Sequence, residues 1–363
     1  MMPKLLAGIT SVAMAAAMGG WGHPEPVETL ALSGYKVLAP IRHGNLTVFP
    51  VVAVKTHNTE EFLTLDEGLR SGDVVVTESG VIRPMVRRPN MRPYNPGGGA
   101  EVNRLVLVNN SKRPLLLLAG EIVTGGKQDR VIGKDRLVPA ESDPIDLSVF
   151  CVEPGRWVGK SMKFGAMQEA MAAPAVRGSA MGYNDQAKVW SEVRKAQTLA
   201  AARVPAASPQ AAELQSTTSY ASVMQNKEVQ TQVDATAAPI ENSYRSLIKE
   251  LKDRNAVGVV AAVNGEIIWA DIFASTELLQ KYWTKLVRSY AAEAMVARVN
   301  EQEVSEKAAQ AFLENFEGRR ETVENEPGLY RHTEVTGDGF KAFELTSLLP
   351  KTGFDLHIAK MAE

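Results

Sequence analysis

From Tyr35 to Phe150 the sequence is a succession of short apolar runs separated by glycine, proline and asparagine. That punctuation excludes long helices from this half, and runs rich in Val, Leu and Phe between turn formers read as strands. Strands are expected at Leu46 to Val54, Asp73 to Glu78, Arg104 to Asn109, Leu115 to Ala119 and Leu147 to Val152. Between the first two, Leu65 and Leu69 stand at i, i+4 with Thr64 ahead of them, the pattern of a short capped helix. Arg83, Arg87, Arg88 and Arg92 alternate with Pro84, Pro89 and Pro93 before Gly97, Gly98 and Gly99, which reads as an extended, solvated basic loop.

Beyond Cys151 the pattern changes. Residues from about 165 to 240 are rich in Ala, Gln and Ser and read as a helical or irregular insertion. Within it Val189, Val193 and Leu199 predict a helix over Asn184 to Val204, followed by an irregular stretch to Ser222. Pro239 is expected to precede a helix from Glu241 to Arg254, with Tyr244, Leu247, Ile248 and Leu251 on its inner face. Val257 to Val263 and Glu266 to Phe273, joined by Asn264-Gly265, predict a hairpin, because both turn residues tolerate positive φ. Ser275 caps an expected helix to about Val299, a further helix runs from Gln302 to Phe316, and strands follow at Leu329 to Val335, Phe340 to Thr346 and Phe354 to Ile358. The fold class is therefore mixed α/β (α+β): a β-rich N-terminal half and C-terminal strands around a largely helical middle, forming one compact domain over residues 35–363.

Forty basic against forty-two acidic side chains give a net charge of -2. There is no global electrostatic footprint for nucleic acid, so no nucleic-acid partner is expected and any anion site is local. Cys151 is the only cysteine, which excludes an intrachain disulfide and multi-cysteine metal sites. His43, His57, His332 and His357 show no ligand spacing, so no metal is indicated, and the sequence assigns no cofactor. Residues 1–22 open with Met1-Met2-Pro3-Lys4 and continue as the apolar run Leu5 to Met18, the arrangement of a secretory signal. The run is shorter than the roughly 20 residues of a spanning helix, and no later segment reaches that length without charges. The expectation is an exported domain, periplasmic or extracellular, with no transmembrane segment after the signal.

Two polar constellations follow apolar strands. The first, Gly120 to Arg130, offers Gly125 and Gly126 for close backbone approach and Lys127, Gln128 and Arg130 for holding an anion. It lacks the spacer and the Lys-Ser/Thr ending of a P-loop, and a braced β-turn accounts for it equally well. The second, Phe150 to Trp157, sets Glu153 and Arg156 as an ion pair beside Trp157, which is either a stacking surface or a core residue. The candidate ligand-binding residues are thus Lys127, Gln128, Arg130, Glu153, Arg156 and Trp157. Glu121, Asp129 and Glu78 are the candidate acids or bases for catalysis. Cys151, inside an apolar strand, reads as an inert buried thiol. Asp66-Glu67 and Glu60-Glu61 read as solvated or capping carboxylates.

Several of these stretches together resemble a known family. Asn45 to Pro50, Leu63 to Leu69, Val76-Thr77-Glu78, Leu118-Ala119-Gly120-Glu121, Gly126 to Arg130, Val138-Pro139-Ala140 and Val152 to Trp157 are similar, in order and spacing, to the domain associated with ADP-ribosylglycohydrolase and rhodanese-phosphatase proteins. The resemblance runs from about residue 35 to the end and is weakest around 165–240. It implies a mixed α/β domain of no established activity, linked to ADP-ribose or NAD metabolism only through neighbouring domains. An export signal departs from that intracellular setting. Three functional readings follow: a domain binding a small anionic or nucleotide-sugar-like ligand, a hydrolase with Glu121 or Asp129 as base beside Lys127 or Arg130, and an envelope module that binds a protein partner.

Overall fold

The computed structural model describes residues 34–80, 99–251, 253–300 and 302–363. Its centre is the Asn264-Gly265 hairpin: both residues have positive φ, 53° and 80°, and they join strands Asn255–Val263 and Glu266–Phe273. Each strand of the hairpin recruits a distant partner. Leu46–Ala53 pairs with the first and Asp355–Ala362 with the second, all antiparallel. The sheet continues through Phe340–Ser347, Tyr330–Gly337 and Gly318–Glu326 on one side and Tyr35–Val37 on the other. Leu46–Ala53 is buried at every position because both faces of this sheet are covered. Leu46, Val48 and Val52 join the main core, whereas Phe49, Val51 and Ala53 pack with Ala309 and Leu313 of helix Glu306–Glu314.

A second sheet runs Gly165–Met171, Glu121–Thr124, Arg130–Ile132, Ile145–Cys151, Arg104–Asn109, Val74–Thr77. It closes on itself, since Thr77 bridges Lys163 and the Phe164 amide donates to the Val76 carbonyl at 2.9 Å. The result is a small six-stranded barrel, which leaves no open edge between its first and last strands. Val74, Val76, Leu105, Leu107, Val123, Ile132, Leu147, Val149 and Phe164 share one apolar cluster. Leu63, Leu115, Leu117 and Val138, from a three-stranded sheet of Arg136–Val138, Leu115–Leu117 and Leu63–Thr64, belong to the same cluster. Helix Leu65–Ser71 starts at Thr64 with a complete capping box, as the sequence suggests: Thr64 Oγ1 accepts from the Glu67 amide and Glu67 returns the bond.

Apart from Glu306–Glu314, the long helices share the main core with residues of both the barrel and the large sheet. Thr276–Val296, capped by Ser275 as expected, buries Leu278, Leu279, Tyr282, Trp283, Leu286, Val287 and Tyr290. Gln186–Arg203 likewise matches its expected helix. Two expectations are corrected. Val204 to Ser222 is not irregular but carries helix Pro209–Ser216 and the start of Tyr220–Gln225, because Ser208-Pro209 supplies an N-cap with proline at N1, where its missing N–H costs nothing. Pro239 does not begin a helix but lies inside Lys227–Glu250, whose buried stripe Val229, Val233, Ala237, Ile240 and Tyr244 runs through it. Burial of that stripe outweighs the hydrogen bond the proline forfeits. Residues 165–240 are mostly helical, and Val176, Val189, Val233 and Ala237 sit in the main core. The signal-like run 1–22 and the loop Arg83 to Arg92 lie outside the described residues. Among the described residues no helix is long and apolar enough to cross a membrane.

Candidate functional site

One end of the barrel is polar. Along Arg130–Ile132, Ile132 belongs to the barrel cluster and Val131 to the main core. Strand alternation therefore turns Arg130 towards the barrel axis. The same alternation after Val74 and Val76 brings Glu78 to this axis, and Cys151, paired with Arg130, does likewise. Arg130 is 0% exposed, yet among the described residues its only hydrogen bond is a 3.4 Å contact from Nη1 to the Asp129 carbonyl. Its Nε and Nη2 are buried without partners, as is Glu78 Oε2. Burial lowers the Arg130 pKa, opposed by the nearby Cys151 and Glu78. Burial also pushes the Cys151 thiol up, so it stays the inert group that its strand position suggests.

The turn that rims this mouth is braced by Glu153. Its Oε2 accepts from the Asp129 amide at 3.0 Å and from Arg156 Nη2 at 2.5 Å, and its Oε1 accepts from Lys160 at 3.1 Å. Burial alone would raise the Glu153 carboxyl, but these donors outweigh it and hold the group below its usual range. Arg156 also donates through Nη1 and Nη2 to the carbonyls of Gly125, Gly126 and Val158, while its buried Nε has no partner among the described residues. Asp129 accepts from the Gly125 amide and from Ser219 Oγ; burial dominates and raises its pKa. Gln128 Nε2 donates to the Glu153 carbonyl, leaving Oε1 unpartnered. Glu78 Oε1 accepts from the Lys127 amide at 2.7 Å. Gly126, at φ 48°, has to be glycine: a Cβ would stand 2.2 Å from Phe164 Cζ and 2.6 Å from Glu78 Oε1.

The two constellations therefore meet, Arg130 opposite Cys151, and Glu78 joins them. Lys127 Nζ lies 4.9 Å from the Trp157 ring. Trp157 is 42% exposed, so it is not a core residue. Glu121 is elsewhere. It is fully buried, with Oε1 on Lys285 Nζ at 2.6 Å and Oε2 on the Leu118 amide, and Lys285 also reaches Asp66 at 2.9 Å. Glu67, as noted, caps its helix.

Sequence reasoning missed a second buried network. His357 places Nδ1 on Asp135 Oδ2 at 2.5 Å and Nε2 on Asp271 Oδ1 at 3.0 Å, and Asp271 also holds Arg177 and the Tyr290 hydroxyl. Burial would lower the His357 pKa, but the flanking carboxylates outweigh it and raise it. Burial would likewise raise Asp271, but Arg177 and His357 hold it well below the carboxylate range. Alternating charges, all fully enclosed, make this a clamp between the barrel loop and the large sheet. His332 adds a contact to the Asp135 carbonyl. The only local signal is a histidine in an otherwise buried strand. No group of three or more His, Cys, Asp or Glu suited to a metal occurs among the described residues.

Compared with known proteins, residues 34–359 match the family model described as the ARG and Rhodanese-Phosphatase-superfamily-associated Protein domain. No curated protein and no solved structure matches the chain.

Proposed function

We propose, from the premise that the chain belongs to the ARG and Rhodanese-Phosphatase-superfamily-associated Protein domain family, that it binds a small carboxylate- or phosphate-bearing ligand at the barrel mouth. The family name states an association and no activity, so the reading rests on the site. The observation that carries it is the Arg130 guanidinium: Nε and Nη2, the adjacent pair that forms one edge of the fork, are both buried and unpartnered. Glu78 and Asp129 lie near its charge, but a buried donor left without an acceptor costs about 1–3 kcal/mol. An oxyanion taking both N–H groups in parallel relieves that cost. Lys127 at the rim adds positive potential and, with Trp157, a face for a ring, which supports a nucleotide-sugar-like ligand. Glu153 and Arg156 act by bracing the turn, with Gln128 linked to them.

Thermal shift of the chain against inorganic phosphate, acetate, ADP-ribose and sugar phosphates tests this. A ligand at roughly a hundred times its Kd stabilises by about 2.7 kcal/mol. Arg130→Lys, which keeps the charge and loses the fork, is expected to weaken binding at least tenfold. Silence across the panel, or equal binding by Arg130→Lys, refutes the proposal. A hydrolase is the second reading, favoured by the unpartnered Glu78 Oε2 at the same mouth, whereas the oxygens of Glu121 and Asp129 are engaged. Turnover lost in Glu78→Gln would support it. The signal-like residues 1–22 support an exported domain, which fractionation of the tagged full chain tests.

A further inference from the structure

A cavity of about 380 Å³ lies away from the barrel mouth, among helices Pro174–Met181, Gln186–Arg203 and Thr276–Val296 and the strands Glu266–Phe273 and Asp355–Ala362. Three of its lining carboxylates, Glu192, Glu266 and Glu293, face a single lining lysine, Lys195. Lys188 and Lys341 sit against the Tyr183 ring and do not line it. Glu293 is the deepest of these acids. Its Oε2 accepts the Ala175 amide at 3.0 Å, standing in for the side-chain cap that Ala173 cannot give, and burial raises its pKa. Beside it is a recess of about 20 Å³, lined by Tyr220, Met224 and Val296 and also by Glu192, Lys195 and Glu293 itself. Trp269, 1% exposed, forms part of the main wall and keeps an unpartnered indole Nε1.

We infer that this cavity binds a small organic amine, its ammonium on the Glu293 carboxylate and its short hydrocarbon body along the Trp269 wall. A volume of this size suits a small molecule. An excess of carboxylates favours a cation, and the apolar wall of Ile268, Trp269 and Met361 favours a carbon skeleton over a metal ion. The site is independent of the barrel mouth.

Calorimetric titration of the full chain with three isosteres tests it: 5-amino-1-pentanol, 1,5-pentanediol and 5-hydroxypentanoate. The amine is expected to bind, the diol at least tenfold more weakly, and the anion not at all. Glu293→Gln keeps an acceptor for the Ala175 amide and should weaken the amine at least tenfold. Lys195→Gln should tighten it severalfold, a gain that damage to the fold cannot produce. The inference is overturned if the amine does not bind, if the three isosteres bind alike, or if either variant leaves the amine's Kd unchanged.

Discussion

Replacing Lys285 by Met should destabilise the protein by about 3–5 kcal/mol, the range for removing one partner of a buried ion pair. The ammonium is 4% exposed and holds Glu121 at 2.6 Å and Asp66 at 2.9 Å. Glu121 carries most of the penalty, because its side chain is 1% exposed against 16% for Asp66, where water still screens the charge. Removing the charge of Glu121 as well should recover part of the loss, so Lys285→Met/Glu121→Gln is expected to be about 1–3 kcal/mol more stable than Lys285→Met alone. The pH dependence has a definite sign. Burial already raises the Glu121 pKa, with Lys285 opposing, and without Lys285 it rises further. A native pKa above the unfolded one means stability present at low pH and lost as pH rises through the native value. The deficit of Lys285→Met should therefore be smaller at pH 5 than at pH 8. Urea unfolding of the wild type, both single variants and the double variant at these two pH values measures all of this. A double variant no better than Lys285→Met, or a deficit that does not grow with pH, would refute the reasoning.

Two further predictions concern other elements. Gly126→Ala combines a left-handed backbone with contact on Phe164 and Glu78, and should cost about 2–4 kcal/mol in urea unfolding, with anion binding weakened; a loss below about 1 kcal/mol would contradict the geometry. Glu344, pushed up to about 7 by burial against the pull of Arg320, supports stability fully below its unfolded value near 4.5 and loses that support as pH rises through 7. Glu344→Gln should therefore compare better with the wild type at pH 8 than at pH 5, by up to about 3 kcal/mol, and parallel pH profiles would exclude the assignment.

What was legible in the sequence is what short-range physics dictates. The capping box at Thr64, the Asn264-Gly265 turn and the stripe from Leu278 to Tyr290 each need only neighbours within a few residues. The barrel-mouth constellations were legible for the same reason: each sits at a strand end, and pairing of Arg130 with Cys151 brings them together. Pro239 misled because a proline is a strong local signal, and the stripe that overrides it spans about four turns and finds its partners in distant elements. The separation of Glu121 from the mouth was beyond reach, since Lys285, which claims it, lies 164 positions away. Asp135 and His357 stand 222 positions apart, and nothing adjacent to either announces the other.

The register of the large sheet bears on how the chain is made. Ala53 pairs with Asn255, and Asp355–Ala362 is the strand that joins the hairpin to Phe340–Ser347. At about 5–20 residues per second, Leu46–Ala53 leaves the ribosome about 10–40 s before its partner strand exists. Until Asn255–Val263 is made, Leu46–Ala53 lacks its long partner, and until Asp355–Ala362 follows, the hairpin and Phe340–Ser347 remain unjoined. All six barrel strands precede Ala172, so their pairing partners are made together, whereas Lys285, which neutralises the buried Glu121, and Ser219, which holds Asp129, follow later. Synthesis thus divides the protein in time where the finished structure shows no division in space.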